Sequence, residues 1–301
     1  ALTGMSRSWI GMILMATVTS LPELVTGLSA VTVASTPDIA VGDALGSIVF
    51  NLALLALAEM LSRRGGLYGA AGRTHVLTAA VGVLMIGIVL LALRVARSAT
   101  GWAWGHASVF SVALIAVYGL AMRALYIFEM RSGAPSPTAS AGMPLRQALG
   151  GYALAAMFIV VAGIWLPLVG VRLARIMLWS DSFVGTLLIA FATSMPELVT
   201  TLAALRIGAV DLALGNILGS NLFDLLIIAL DDLAHLGGPI FRDVDSAHAV
   251  TGLIAAIMNC VVIAALLRPP RSRLIGTLSW AGLSLAVLYV LSAVAQSSLG
   301  P

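Results

Sequence analysis

One phrase is written twice in this chain, 174 positions apart, and each time it sets a glutamate directly after a proline inside a long apolar run. Thr19-Ser20-Leu21-Pro22-Glu23-Leu24-Val25-Thr26 returns as Thr193-Ser194-Met195-Pro196-Glu197-Leu198-Val199-Thr200. Each copy is followed by a second shared phrase. Gly42-Asp43-Ala44-Leu45-Gly46-Ser47 leads to Asn51, and Gly215-Asn216-Ile217-Leu218-Gly219-Ser220 leads to Asp224. A carboxylate placed in hydrocarbon costs roughly 2.5–3.5 kcal/mol even on the gentler insertion scale. Two of them in matching contexts point to two halves that together build one cation site.

The surroundings of the motifs are those of a membrane protein. Residues are 60% hydrophobic and only 10% charged, against about 25% charged in soluble domains, and the mean hydropathy is +1.06. The apolar runs are long, where a membrane β-barrel would show short alternating segments. The fold class expected is therefore an all-α integral membrane protein. The net charge of +3 comes from arginines at the span ends, which act as topology signals and not as a nucleic-acid surface. Cys260 is the single cysteine, so neither a disulfide framework nor a thiolate metal site is expected. His75, His106, His235 and His248 fall at span ends or in loops without ligand spacing and are not read as metal ligands. No cofactor is expected.

A spanning helix needs about 20 apolar residues. On that measure nine spans are visible, roughly 8–34, 38–60, 76–97, 105–128, 148–172, 180–205, 209–231, 247–267 and 274–297. The stretch from Arg131 to Thr138, with two prolines, is the clearest linker. It divides the chain into a first repeat over 1–130, a linker over 131–146 and a second repeat over 147–301. The copies start on the first and sixth spans, so the halves have opposite orientation, the signature of secondary transporters that bind substrate near the midplane. Sliding one copy over the other sets Ala1 against Arg175, which implies a further helix before Ala1 in the ancestral protein. Eleven arginines fall on one side of the spans and five on the other. By the positive-inside rule the linker 131–146 is cytoplasmic, in a multi-pass protein of the cell (inner or plasma) membrane, and the acidic stretch with Asp231, Asp232, Asp243 and Asp245 is outside.

The motif chemistry is that of hard cations. Pro22 and Pro196 lack an N–H, so each frees a helix carbonyl, of Val18 and Ala192, and breaks its helix. Non-helical backbone at membrane depth is tolerated only where it faces protein or a polar cavity. Thr19 and Glu23, Thr193 and Glu197, Ser47 and Asn51, and Ser220 and Asp224 are all spaced i,i+4, hence each pair lies on one helical face. The donors are oxygens throughout, suited to Ca²⁺ or Na⁺ and not to Zn²⁺ or Cu⁺. The plain readings weigh less: a proline is often only a kink and a Gly-xxx-Gly pair only packing, yet no arginine lies mid-span to pair with either glutamate. Asp43 reads first as a helix N-cap or dipole partner. Glu59, Glu129, Asp181 and Asp211 read as solvated span ends, and Asp231-Asp232 reads as a solvated turn in preference to a pair that attracts cations to the outer mouth.

Taken together, 11–60 and 185–232 resemble the two alpha-repeats of the cation/Ca²⁺ exchanger superfamily, in its prokaryotic sodium/calcium exchanger branch. The resemblance implies an inverted-repeat transporter with nine visible transmembrane helices of a ten-helix fold. The function it implies is not an enzyme's but that of an antiporter exchanging Na⁺ for Ca²⁺ by alternating access in the lipid bilayer. It further implies a central Ca²⁺ site made by Glu23 and Glu197 with the Thr19 and Thr193 carbonyls. Flanking Na⁺ sites would use Ser20, Ser47, Ser194 and Ser220 with the backbone oxygens of Ala16 and Ala190, while Asn51 and Asp224 complete the cluster. Val18 and Ala192 stand where many members have glycine, and Asp43 where asparagine is usual. Proton/calcium exchangers of the superfamily carry a glutamate in the second motif, where this chain has Gly46-Ser47 and Gly219-Ser220, which favours Na⁺ as the coupling ion. An H⁺-coupled Ca²⁺, Mn²⁺ or Mg²⁺ antiporter is the alternative. An intramembrane hydrolase using Asp43 and Asp224 is a remote one, since it leaves the repeat unexplained. Oligomeric state is not encoded in any motif.

Overall fold

The computed structural model describes residues 15–61, 67–96, 102–132, 145–270, 272–274 and 278–298. Its elements in chain order are α1 (Ala16–Thr19), α2 (Leu21–Ser29) and a π-helical turn (Ala30–Ala34). These are followed by α3 (Pro37–Leu61), α4 (Thr74–Val95), a short hairpin β1 (Ala103–Trp104) and β2 (Ala107–Ser108), α5 (Val109–Ser132) and α6 (Leu145–Met177). The second half continues with α7 (Asp181–Phe183), a π-helical turn (Val184–Ile189), α8 (Ala190–Thr193), α9 (Met195–Arg206) and α10 (Val210–Ala234). It closes with α11 (Ile240–Asp243), α12 (Ala247–Leu267) and α13 (Trp280–Ser298).

Helices dominate because a helix satisfies its own backbone polar groups where lipid offers no partner. Seven of the expected spans are single helices long and apolar enough to cross a membrane. An eighth is the pair Asp181–Thr193 and Met195–Arg206, bent by 42° at the break. The expected span 8–34 is described from Met15 onward as α1, α2 and the π turn. Two span starts move inward. The hairpin takes 103–108, so α5 begins at Val109 and not near 105, and the final span begins at Trp280 and not near 274. Most of the expected linker, 133–144, lies outside the described residues.

The spans divide into centre and periphery. The apolar stretches of α3 and α10 are 72% and 89% buried, whereas that of α6 is 17% buried. Thus the two helices carrying the second motif form the middle of the bundle, packed on each other. α6 lies against α2 and both π turns with much of its length exposed. The glycines of α3 are what let the chain pack so closely there. A Cβ on Gly42 would stand 3.0 Å from the Thr186 nitrogen, and one on Gly46 would overlap the Thr186 carbonyl. Gly185 in the facing π turn repays the approach, since its own Cβ would be 2.9 Å from the Ile39 oxygen.

Acids expected to be solvated turn out to anchor helix ends. Glu59 is buried and accepts from the Ser279 backbone N–H at 3.3 Å, ahead of α13. At the matching place in the second half, Asp232 is fully buried. It accepts from the N–H of Ser108 (2.7 Å), the hydroxyl of Ser111 (2.6 Å) and the N–H of Ile240 (2.7 Å). Each carboxylate meets the positive end of a following helix, which satisfies orphan N–H groups that membrane depth would otherwise leave unpaired. The side chain of Glu129 lies outside the described residues. Asp181 is part-exposed as expected, and Asp211 is too.

The histidines pair across the halves. His75 Nε2 lies 3.1 Å from Asp211 Oδ1, and His248 Nε2 lies 2.9 Å from Asp38 Oδ1. Both histidines are buried and each stands second in its helix, so they are structural partners at opposite faces of the bundle. Their recurrence 173 positions apart, in step with Asp38 and Asp211, was available in the sequence and is part of the repeat.

Candidate ion site between the repeats

Both motif helices break at a serine. Ser20 (φ −86°, ψ 14°) ends α1 and Ser194 (φ −81°, ψ 10°) ends α8, each two residues before the proline that opens the next helix. With no proline N–H to receive it, the helix ladder is interrupted there, as the sequence implies. The breaks leave Glu23 and Glu197 in the first turns of α2 and α9, where the helix N-terminus favours a negative charge.

The geometry then crosses the halves. Ser194 Oγ donates to Glu23 Oε1 at 3.1 Å, and Ser20 Oγ donates to Glu197 Oε1 at 3.1 Å. Ser220 Oγ also donates to Glu197 Oε1, at 3.2 Å, and lies 3.4 Å from Thr19 Oγ1. Thr193 Oγ1 donates to Asp43 Oδ1 at 2.8 Å. The Ala16 and Ala190 carbonyls accept from the Ser20 and Ser194 N–H groups at 2.9 and 3.1 Å, and from the hydroxyls of Thr19 and Thr193 at 3.3 and 3.2 Å. Glu23 Oε2 and Glu197 Oε2 are buried with no hydrogen-bond partner.

Twelve residues were singled out from the sequence, and all are buried: Glu23, Glu197, Thr19, Thr193, Ser20, Ser194, Ser47, Ser220, Asn51, Asp224, Ala16 and Ala190. Direct hydrogen bonds join Ser194 to Glu23 and, as a second group, Ser20 and Ser220 to Glu197 with Thr19 against Ser220. Thr193, Ala16 and Ala190 join through their own helix turns. Ser47, Asn51 and Asp224 make no side-chain hydrogen bond, the last two lying one turn beyond Ser47 and Ser220 on the central helices. Asp224 nonetheless belongs electrostatically, because its carboxylate, like those of Glu197 and Asp43, lies within charge–charge reach of Glu23.

Sequence reasoning misplaced Asp43. α3 starts at Pro37, so Asp43 stands in its second turn, 1% exposed, with its carboxylate on Thr193 and not on a helix end. Asn216 was also missed. It is buried and links Thr19 to Thr200 and Thr201 through its side-chain amide. Their equivalence within the two Gly-x-x-x-Gly-Ser phrases was the signal.

Among the described residues no arginine pairs with Glu23, Glu197, Asp43 or Asp224. Nor do three or more His, Cys, Asp or Glu side chains converge as a chelating group by themselves. The arrangement is instead a mixed cage: carboxylates of opposite repeats, hydroxyls and carbonyls, all oxygen. Such a set suits a hard cation taken up and released. Four repelling carboxylates in low dielectric give that cation a strong electrostatic reason to enter.

The model of the sodium/calcium exchanger protein family matches residues 1–127 and 147–298 of the chain. Inner membrane protein YrbG of Escherichia coli (strain K12) is 30% identical over 226 residues, 73% of this chain and 66% of that protein. The putative antiporter CaxA of Alkalimonas amylolytica is 29% identical over 225 residues, 73% of this chain and 67% of its own length. The chain thus spans about two thirds of these curated relatives. A solved structure of the sodium-calcium exchanger NCX_Mj, soaked with 2.5 mM Na⁺ and 0.1 mM Sr²⁺, superposes with a TM-score of 0.63 at 22% identity. It covers 97% of this chain and 87% of that one, and the likeness shows a shared fold.

Proposed function

Because the chain belongs to the sodium/calcium exchanger protein family, we propose that it is a secondary antiporter that exchanges Na⁺ for Ca²⁺ by alternating access. Membership sets it among transporters and not enzymes, and the hydrolase reading falls away. The observation that carries the proposal is the crossing of the repeats at the helix breaks, Ser194 to Glu23 and Ser20 to Glu197. A site shared so evenly has no owner, and closing or opening either half changes it.

In this reading Ca²⁺ lies between Glu23 and Glu197, whose two charges balance its own. Na⁺ ions occupy the hydroxyl-rich flanks formed by Ser20, Ser47, Ser194 and Ser220 with the carbonyls of Ala16 and Ala190. Asn51 and Asp224 complete the cluster. The ions compete for the same oxygens, so one kind leaves as the other enters. Without a cation the carboxylates repel across the interface, which makes the occluded state costly when empty. That coupling of occupancy to closure is what an antiporter requires. α6, the least buried of the spans on the described residues, is the element with most freedom to slide over the core. Neutral Ser47 and Ser220 in the second motif support Na⁺ as the coupling ion. The arginine asymmetry supports a cytoplasmic linker at 131–146 between repeats 1–130 and 147–301, in the inner or plasma membrane.

The test is uptake of radioactive Ca²⁺ into proteoliposomes driven by an outward Na⁺ gradient. Wild type should accumulate Ca²⁺ and Glu23→Gln should not. Equal uptake by both would sink the proposal. Uptake by wild type on a pH gradient without Na⁺ would reassign the coupling ion to H⁺.

A further inference from the structure

The two repeats differ at three positions that the fold gathers on one side of the cage. Asp43 corresponds to Asn216, Gly27 to Thr201 and Asp231 to Ala58. On the side of the second copy the group is neutral and closed. Asn216 Nδ2 donates to Thr200 Oγ1 at 3.0 Å and reaches Thr201 Oγ1 at 3.4 Å, while Ala58 adds no polar atom.

On the other side the group is charged and largely without partners. Asp231 is fully buried, and neither carboxylate oxygen has a hydrogen-bond partner. Its carboxylate lies on the Cα of Gly27, in space that a Cβ such as that of Thr201 would fill. Asp43 keeps Oδ1 on Thr193 but leaves Oδ2 buried and unpartnered, and the hydroxyl of Thr26, beside Gly27, is likewise buried and unpartnered. Asp43 and Asp231 lie within charge–charge reach of each other, as do Asp232 and Asp231.

A structural role does not account for Asp231. The anchoring of helix ends is done by its neighbour Asp232, which receives three donors and has a counterpart in Glu59. Asp231 has no such donors and its counterpart is an alanine. Buried polar groups in native proteins are paired, so an orphan buried carboxylate either holds a proton or finds a cation outside the chain.

We propose that Asp43 and Asp231 form a second cation position, for a hard divalent ion such as Ca²⁺, beside the central cage and toward the face carrying the 235–246 loop. That side follows from the chain: Asp231 is in the last turn of α10, and Asp38 at the start of α3 touches Asp245 and His248. The role of a staging point rests on reading the central site as a cation cage, although binding itself does not. A cation approaching from the 235–246 face meets two carboxylates before the cage, whereas one approaching from the opposite face meets the neutral Asn216–Thr200–Thr201 group. Apparent affinity is then higher from the first face than from the second.

Equilibrium dialysis with radioactive Ca²⁺, without Na⁺, on the purified chain in detergent tests the position. Asp231→Asn and Asp43→Asn should each bind one Ca²⁺ fewer per chain than wild type. Glu23→Gln/Glu197→Gln should keep one Ca²⁺, which is lost when Asp231→Asn is added. Wild-type binding by both single variants, or equal binding by the double and triple variants, would overturn the proposal. If the double variant binds as much as wild type while Asp231→Asn loses one equivalent, the central reading fails and this one stands. Melting temperature guards against misfolding. In chelator Asp231→Asn should melt at or above wild type, because a buried like charge is gone, and Ca²⁺ should raise it by less. A Ca²⁺-dependent rise equal to wild type would count against the position.

Discussion

Gly46→Ala should injure this protein, whereas the same change at Gly119 should not. The reason is distance. A Cβ on Gly46 would stand 2.8 Å from both the Ala190 Cβ and the Thr186 carbonyl carbon, besides overlapping the Thr186 oxygen. Carbon atoms settle at about 3.5–4.0 Å, so the π turn at Val184–Ile189 has to retreat by roughly 0.7–1.2 Å. Overpacking of this kind costs about 1–3 kcal/mol. Replacing glycine in a helix returns about 1 kcal/mol, so the net loss is about 0–2 kcal/mol, toward the upper end because the contacts at Gly46 are the shortest of the three sites. At Gly42 the first contact is 3.0 Å, to the Thr186 nitrogen, and the two effects nearly cancel. At Gly119 nothing lies within 4 Å, so only the gain remains. Function suffers more than stability. The same retreat carries α8 with it and stretches the 2.8 Å bond from Thr193 to Asp43 beyond hydrogen-bonding range. A misplacement of about 1 Å can cost about 10²-fold in rate where groups must be held in place. Melting in detergent and Na⁺-driven Ca²⁺ uptake should both rank the variants Gly119→Ala, Gly42→Ala, Gly46→Ala, from best to worst. Gly46→Ala that melts and transports like Gly119→Ala would refute the close approach of α3 to the π turn.

Two further perturbations probe the interface and the helix anchors. Ser20→Ala and Glu197→Gln should be non-additive, with a coupling of about 0.5–3 kcal/mol in apparent Ca²⁺ affinity, since they share a 3.1 Å bond. Ser20→Ala with Glu23→Gln should couple less, and the reverse order would mean that the cross-repeat bonds are wrongly assigned. Asp232→Ala leaves three buried donors without their acceptor, at about 1–3 kcal/mol each. It should lower the melting temperature far more than Glu59→Ala, which gives up one longer bond of 3.3 Å. Similar melting temperatures for the two would remove Asp232 as an anchor.

The transporter architecture was legible because it rests on local rules: apolar length, proline chemistry and a repeated phrase. Even the helix breaks could be placed to within two residues of Pro22 and Pro196. What escaped was governed by depth. Asp43 looked like a cap because it follows a glycine near the start of an apolar run, but the helix already begins at Pro37. Asp231-Asp232 looked like a solvated turn because acids at the end of a span usually are, yet α5 and α11 close over Asp232 and α2 lies against Asp231. Burial there depends on residues over a hundred positions away, such as Ser108, and no window of sequence contains them. Comparing the copies residue by residue would have helped more than reading either alone. Glu59 against Asp232 marks a shared duty, and Ala58 against Asp231 marks a private one.

The crossed His–Asp pairs have a consequence for how the protein comes to exist. His75 and His248 are each buried in one half, and each finds its carboxylate in the other. The same is true of Glu23 and Glu197 with their serines. Either half made alone would carry an orphan histidine at one end and an orphan glutamate at its middle. Only a partner inserted upside down supplies both. Without the second half, the first therefore holds these groups with no partner. A copy threaded the wrong way round would find its His and Asp at opposite faces of the bilayer, and would be recognisable as a failure by its own unpaired groups.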